Sequence, residues 1–398
     1  AQKKILYKIC LFSCVTFIAS IFIGCCLLKG TMFVYDDYTY HASVTAHWCL
    51  DEYLSLSPQN YHCYYPFNAE VLSLWFMLPV RSDAFVSLVG IYWAILSVFS
   101  AGIICKSFGM SKVGIGLSSV LLLASPVIKQ AIRSFSAVDL ASPAMVLAGI
   151  AMIIPARDQS TNKNKSIEFL YCGILTGFAI GCKISFVVFA FIPLFWILFS
   201  RSNAQNGKTK IQLMGCFFAG SLITGGFWYI RNFIITGNPV FPADFGCFSG
   251  PFLAEQINRT RMITWIINDP WHFDRWKYII QQLVSWPPLL FLVSFIGYLE
   301  AVRMLWKKGL KTEQTSIIGL LLTTGLIMFL THPLMPYSGT NDSPVANFRI
   351  NLRFFILPYL VGWLLYCLLL ESVTKKKLWL GFALAAAVLP LGINLMHN

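Results

Sequence analysis

The chain has 398 residues, of which 57% are hydrophobic and only 12% charged, and its mean hydropathy is +0.67. A soluble fold of this length cannot hide that much apolar surface, and a disordered chain carries far less of it, so both classes are excluded. The net charge of +13 comes from basic residues scattered between apolar runs, a pattern that orients membrane helices and forms no continuous patch for nucleic acid.

In chain order, apolar runs fall at 5–28, 84–105, 113–128, 138–156, 167–183, 185–200, 211–230, 287–305, 315–331, 353–371 and 378–395. Roughly 17–25 such residues cross a bilayer as a helix, so the expected fold is an all-α polytopic membrane protein with about eleven transmembrane helices. These form a single domain over 1–398. The first run follows Lys3 and Lys4 but lacks a small-residue cleavage site, and reads as an uncleaved helix rather than a signal peptide.

The stretch 67–80 decides the topology. It is short, follows Pro66 and contains Pro79. With 67–80 kept out of the bilayer, the short inner loops collect Lys106, Lys112, Arg157, Arg201, Lys307 and Lys375 with their basic neighbours, against few acids. That asymmetry marks the cytoplasmic side. The stretch is therefore expected to lie along the membrane surface, with the amino end inside and the carboxyl end outside.

The outer side then carries a first loop over 30–83, a second over 231–286 with Trp265, Trp271, Trp276 and Trp286 as interface anchors, and a third over 332–352. Long loops on one side place function there. In the first loop, Cys49 and Cys63 could pair in an oxidising compartment; the remaining cysteines have no metal-ligand spacing. There is no P-loop, no GxGxxG and no HExxH.

Ionisable residues cluster at the expected outer edge. Asp36 and Asp37 stand a few residues beyond the first helix, followed by Tyr40 and His41. A carboxylate near low dielectric can serve as a general base; equally, two acids can cap the helix that follows. Arg133 and Asp139 flank a short turn and suit an Arg–Asp pair. Lys183 interrupts an apolar run, either snorkelling or meeting an anion. Arg231-Asn232 ends one span and is followed by Gly237-Asn238-Pro239, a tight turn. Arg349 and Arg353, four apart, can point from one helical face at one anion. Cations at the outer edges of several helices run against the orientation rule. A shared lipid phosphate in the outer leaflet accounts for them economically; contact with bulk anionic headgroups is the simpler competitor.

These stretches resemble the GT-C superfamily of membrane glycosyltransferases, which use polyprenyl-phosphate sugars and include protein O-mannosyltransferases and lipid A aminoarabinose transferases. The similarity lies in Asp36…Tyr40-His41, His47-Trp48, Tyr65-Pro66-Phe67-Asn68-Ala69-Glu70, Ser125-Pro126…Arg133…Asp139, Gly177…Gly181-Cys182-Lys183, Arg231-Asn232…Gly237-Asn238-Pro239-Val240-Phe241-Pro242 and Arg353-Phe354…Pro358. The resemblance implies inverting transfer of a sugar from an undecaprenyl- or other polyprenyl-phosphate donor to an acceptor hydroxyl on a glycan, lipid or protein. The reaction would occur on the extracytoplasmic face of a bacterial inner membrane. It selects Asp36 as the base, with Asp37 and Asp139 as further catalytic candidates. Arg353, Arg349, Lys183 and Arg133 would stabilise the leaving phosphate, with Arg231, Tyr40, His41 and Glu70 around the substrate. No cofactor is expected, although Asp36, Asp37 and Asp139 would suit a divalent metal. A flippase for lipid-linked sugars is the alternative, and it would favour internal repeats and midplane charges that the sequence lacks.

Overall fold

The computed structural model describes residues 36–56, 60–124, 126–154, 162–192, 207–244, 246–251, 266–268, 271–285, 288–309, 313–332 and 352–373. Its regular elements are all helical, as the composition requires. After a π-helical turn at Asp37–His41 come α1 (Ala42–Asp51), a 3-10 turn at Tyr61–Tyr64 and α2 (Asn68–Met77). The bundle follows with α3 (Ser87–Ser107), α4 (Lys112–Ala124), α5 (Pro126–Arg133), a 3-10 turn at Phe135–Ala137, α6 (Val138–Ile153) and α7 (Asn162–Ile180). Beyond a 3-10 helix at Ile184–Phe191 lie α8 (Gly207–Thr236), α9 (Phe273–Ser285), α10 (Pro288–Lys308), α11 (Glu313–Thr331), a 3-10 turn at Leu352–Phe355 and α12 (Ile356–Val373).

Four helices among the described residues are long and apolar enough to cross a membrane: Ser87–Ser107, Phe135–Ile153, Lys208–Thr236 and Gln314–Thr331. The expected spans at 5–28 and 378–395 and the loop at 332–352 lie largely or wholly outside the described residues. The 113–128 run is not one continuous helix. The α4 helix has 13 residues, about 20 Å at 1.5 Å per residue, and Pro126 opens a separate helix. The described part of the 185–200 run is a 3-10 helix of eight residues. The α2 helix, with 10 residues, is about 15 Å long, half of what a crossing needs.

The helices sort by what surrounds them. The α6 window is 89% buried within the protein and that of α8 only 33%, so α6 is the bundle's centre. The α8 helix turns Leu222, Ile223, Phe233 and Ile234 outward, each more than half exposed; such a face is compatible with lipid tails and costly in water. Small residues let α7 and α8 approach backbone to backbone. A methyl group on Gly173 would stand 2.0 Å from the Phe217 carbonyl oxygen, and one on Gly177 2.4 Å from that of Ser221. The close approach lets Thr224 Oγ1 donate to the Ile174 carbonyl at 2.6 Å and Ser221 Oγ to that of Gly173 at 3.2 Å.

The first-loop elements seat on this pair through Asn68. Its backbone N–H donates to the Gly181 carbonyl at 2.9 Å. Its Nδ2 donates to the carbonyls of Phe178 at 3.2 Å and Thr224 at 2.9 Å, and its Oδ1 accepts from Trp228 Nε1 at 2.7 Å. Around it Trp48, Phe67, Phe135 and Trp228 form a second apolar cluster with Cys49 and Cys63. Those two cysteines are buried and free; the bridge that the sequence allowed between them is not formed.

Candidate functional site

The π-helical turn begins immediately after Asp36, and it separates two adjacent acids that the sequence leaves equivalent. Asp37 is buried, and its Oδ2 accepts from the Phe135 backbone N–H at 3.4 Å. Asp36 stays partly open and binds the Arg353 guanidinium through Oδ2. Asp37 thus ties the loop to the corner before α6, while Asp36 reaches a residue 317 positions away.

That corner is strained. Ser136 and Ala137 have φ of 57° and 46° without being glycine, a conformation that costs of order 1–3 kcal/mol per residue and persists where the surroundings impose it. Ser136 is fully buried and its Oγ accepts from Ser73 Oγ at 2.8 Å. The kink starts α6 so that Asp139 lies in its first turn, where the helix N-terminus favours a carboxylate.

Asp139 does not pair with Arg133, contrary to the sequence expectation. Its Oδ1 accepts from Lys183 Nζ at 2.6 Å, and its Oδ2 lies 3.6 Å from Arg353 Nε. Lys183 has been carried there by the turn after α7, held by Lys183 N–H to the Ala179 carbonyl at 3.1 Å. The result is an alternating chain of charges, Asp36–Arg353–Asp139–Lys183, drawn from four separate elements. Beneath the two cations lies Phe354, with Lys183 Nζ 3.8 Å from its ring centre and the Arg353 guanidinium carbon 5.4 Å from it. The ring face stabilises both cations and screens their undersides from water.

Beside this chain, His41 Nδ1 bonds Glu70 Oε1. Glu70 is fully buried, and its second oxygen has no hydrogen-bond partner among the described residues. Tyr40 stacks on His62 with ring centres 4.9 Å apart, and Tyr65 meets it edge-on at 5.7 Å. Burial first, then the charge of Asp36, pushes the Tyr40 phenol well above its ordinary 10.0 and that of Tyr65 up to about 12. Both remain donors at any physiological pH. Burial also lowers His62 below its ordinary 6.5, so it is neutral at pH 7.

Other expected site residues are placed differently. Arg231 braces the loop: its guanidinium donates to the Cys63 carbonyl at 3.2 Å and to Asn232 Oδ1 at 2.8 Å, and it stacks on Trp228 at 4.8 Å. Asn232 in turn donates to the Tyr64 carbonyl at 2.8 Å. Arg133 stands at the end of α5; among the described residues its buried Nε has no hydrogen-bond partner and no carboxylate comes within ion-pair distance of it. Arg349 lies outside the described residues. Trp48 is buried in the aromatic cluster while its neighbour His47 is exposed. Trp271 is exposed, Trp276 is half-buried, and Trp265 and Trp286 lie outside the described residues. Four participants were missed: Asn68 and Tyr65, although both sit inside the Tyr65–Glu70 motif, Phe354, although it directly follows Arg353, and His62, which no motif marked.

No family model and no curated protein matches the chain. Among solved structures it is similar to crystal structures of ArnT from Cupriavidus metallidurans. The one bound to undecaprenyl phosphate is 13% identical with a TM-score of 0.48, over 91% of this chain and 78% of that one. The apo state is 11% identical with a TM-score of 0.46, over 90% and 78%.

Proposed function

We propose that this protein is a membrane glycosyltransferase of the GT-C kind, moving a sugar from a polyprenyl-phosphate donor to an acceptor hydroxyl on the extracytoplasmic face. The observation that carries this reading is the alternating chain Asp36–Arg353–Asp139–Lys183 over Phe354. It holds two cations and two acids in one partly buried place, at positions the charge pattern puts at the outer membrane edge.

Such a site has the parts the chemistry needs. The acceptor oxygen attacks the anomeric carbon as the bond from that carbon to the phosphate oxygen breaks; one in-line displacement inverts the configuration. The transition state carries oxocarbenium character. The leaving phosphate departs charged, and Arg353 and Lys183 are preorganised to receive it in a medium that weakens neither as bulk water would. Asp36 accepts the acceptor's proton. In the resting state it neutralises Arg353; a bound phosphate competes for that guanidinium and releases the carboxylate to act as base. Asp139 keeps the two cations together, and Tyr40 and Tyr65 present hydroxyl donors beside Asp36. Arg133, with its unpartnered Nε, is a further cation for the phosphate.

The test is transfer itself. Purified protein in nanodiscs is given sugars on undecaprenyl phosphate with glycan, lipid and peptide acceptors, and freed undecaprenyl phosphate is measured. Acceptor-dependent release that disappears in Asp36→Ala and Arg353→Ala supports the reading. Donor movement across sealed vesicles without release refutes it.

A further inference from the structure

The α2 helix makes two polar contacts that the transfer reaction as described does not use, and each lands just before a residue of the charged chain. Its first residue, Asn68, holds the end of α7: the backbone N–H donates to the Gly181 carbonyl at 2.9 Å and Nδ2 to that of Phe178 at 3.2 Å. Lys183 follows Gly181 by two positions. Further along α2, Ser73 Oγ donates to Ser136 Oγ at 2.8 Å, and Asp139 follows Ser136 by three positions. Both anchors stand on one helix of 10 residues, while the groups they precede, Asp139 and Lys183, meet at 2.6 Å.

The bond from Ser73 falls on a stretch that does not hold its shape unaided. Ser136 and Ala137 both have positive φ, and a residue other than glycine keeps that conformation where its surroundings impose it. Two hydrogen bonds from the first loop bear on this corner. Asp37 Oδ2 accepts from the Phe135 N–H at 3.4 Å, which is long, and Ser73 reaches Ser136 at 2.8 Å, the ordinary length between hydroxyls. Ser73 is itself fully buried. Its hydroxyl has an alternative acceptor within α2, the Ala69 carbonyl at 3.3 Å, yet the shorter bond crosses to the corner. Without it the corner is free to relax and turn the first residues of α6, carrying Asp139 away from Lys183. The direct bond between α6 and the end of α7, from Ser142 Oγ to the Ala179 carbonyl, is a longer one at 3.3 Å.

We propose that Ser73 is a positioning residue for the transfer reaction: through Ser136 it fixes the corner that aims Asp139, and so sets the spacing of Asp139 from Lys183, whose turn the same helix holds through Asn68. This rests on the transferase reading and adds to it a residue that has no contact with the charged chain itself. Asp139 binds Lys183 through Oδ1 and lies 3.6 Å from Arg353 Nε through Oδ2, so its place determines where both cations wait for the leaving phosphate. A displacement of about 1 Å in such a site costs up to about 10²-fold in rate, even when its cause is remote from the chemistry.

The experiment compares wild type, Ser73→Ala, Ser136→Ala, Ser142→Ala, Asp139→Ala and the double variant Ser73→Ala/Asp139→Ala in the release assay. Ser73→Ala should lower kcat by about 10- to 10²-fold, with acceptor KM within about twofold of wild type. Ser136→Ala removes the acceptor of the same bond and leaves α2 untouched, so it should be as slow, and it carries the test if Ser73→Ala does not fold. With the Asp139 side chain gone there is nothing left to aim. Ser73→Ala should then change the residual rate of Asp139→Ala by less than about twofold, whereas a general loosening of the fold lowers the rate in both backgrounds by the same factor. The same cycle is read on undecaprenyl phosphate affinity, which needs no turnover; Ser73→Ala should shift it by about threefold or more in wild type and leave it level in Asp139→Ala. Wild-type kcat in Ser73→Ala and Ser136→Ala, or equal losses in both backgrounds, overturns the positioning role while leaving the transferase reading intact. A loss confined to Ser142→Ala does the same, by giving the spacing to the direct bond between α6 and α7. Absence of release from the wild type with every donor sinks the transferase reading, and the role of Ser73 with it.

Discussion

Replacing Asp36 by Asn should pull binding and catalysis in opposite directions. Asp36 and Arg353 form a charge-assisted pair with side chains 18% and 22% exposed. A hydrogen bond to a charged partner is worth about 1.5–3 kcal/mol net, and one between a guanidinium and a neutral amide sits nearer the lower end of the scale. Partial exposure keeps the difference to about 1.4 kcal/mol, which is tenfold in an equilibrium constant. A lipid phosphate must displace Asp36 before it can use Arg353. The Asn variant should therefore bind undecaprenyl phosphate about tenfold more tightly, since 1.4 kcal/mol of competition is gone. The same variant cannot accept a proton at position 36, so transfer should fall by about 10²–10⁴. Binding is measured on protein in nanodiscs by microscale thermophoresis, transfer by release of labelled lipid phosphate. Equal or weaker lipid binding together with retained transfer would show that Arg353 is no phosphate ligand and Asp36 no base.

Gly173→Ala should separate α7 from α8, because its methyl would meet main-chain oxygen rather than a movable side chain; a fall in melting temperature in detergent checks this. Asn68→Ala removes three side-chain hydrogen bonds at once and should cost about 2–4 kcal/mol at about 1 per bond plus the groups left unmet, seen as early loss of the Trp48–Trp228 fluorescence signature on heating. Arg231→Ala should lower thermal stability modestly while leaving lipid-phosphate affinity unchanged, since its contacts go to the Cys63 carbonyl and Asn232. His62 is held below its ordinary 6.5, so the unfolded chain binds the proton first. The contribution of His62 should be full above that pH and fall as pH drops through it toward the folded value, and this step should vanish from the pH dependence of the melting temperature in His62→Gln.

Much of the architecture is written in the linear pattern because membrane helices are local objects. Hydropathy over twenty residues, a proline after Ser125 and the excess of lysine in short loops each act within a few turns of chain. The shortness of 67–80 identified a helix that cannot cross, and α2 is such a helix. Glycines at 173 and 177 are what α7 needs to approach α8, while Gly181 beyond its end makes room for Asn68, a packing role the sequence reading did not assign. Less local features escaped. Pro126 was visible as the end of a span but not as the first residue of a further helix, Pro126–Arg133, because composition registers hydrophobicity and is blind to where the next helix begins.

The sequence alone singled out charged residues beside apolar runs, Arg133, Arg231 and Arg349 as much as Asp36, Asp139, Lys183 and Arg353. Their partners are another matter. Asp139 was expected to face Arg133, six residues away, and instead meets Lys183 and Arg353, because the strained corner at Ser136-Ala137 sets the direction of α6. The resemblance favours Asp36 over Asp37, but only the folded chain shows the two acids parting at the π-turn, Asp37 inward to the Phe135 N–H and Asp36 across to Arg353 in the turn before α12. Cys49 and Cys63, a possible bridge on paper, are both free and buried in one apolar cluster. Pairing energy falls off over a few ångströms, whereas the residues concerned are tens to hundreds of positions apart, so only the folded chain can decide which charge answers which.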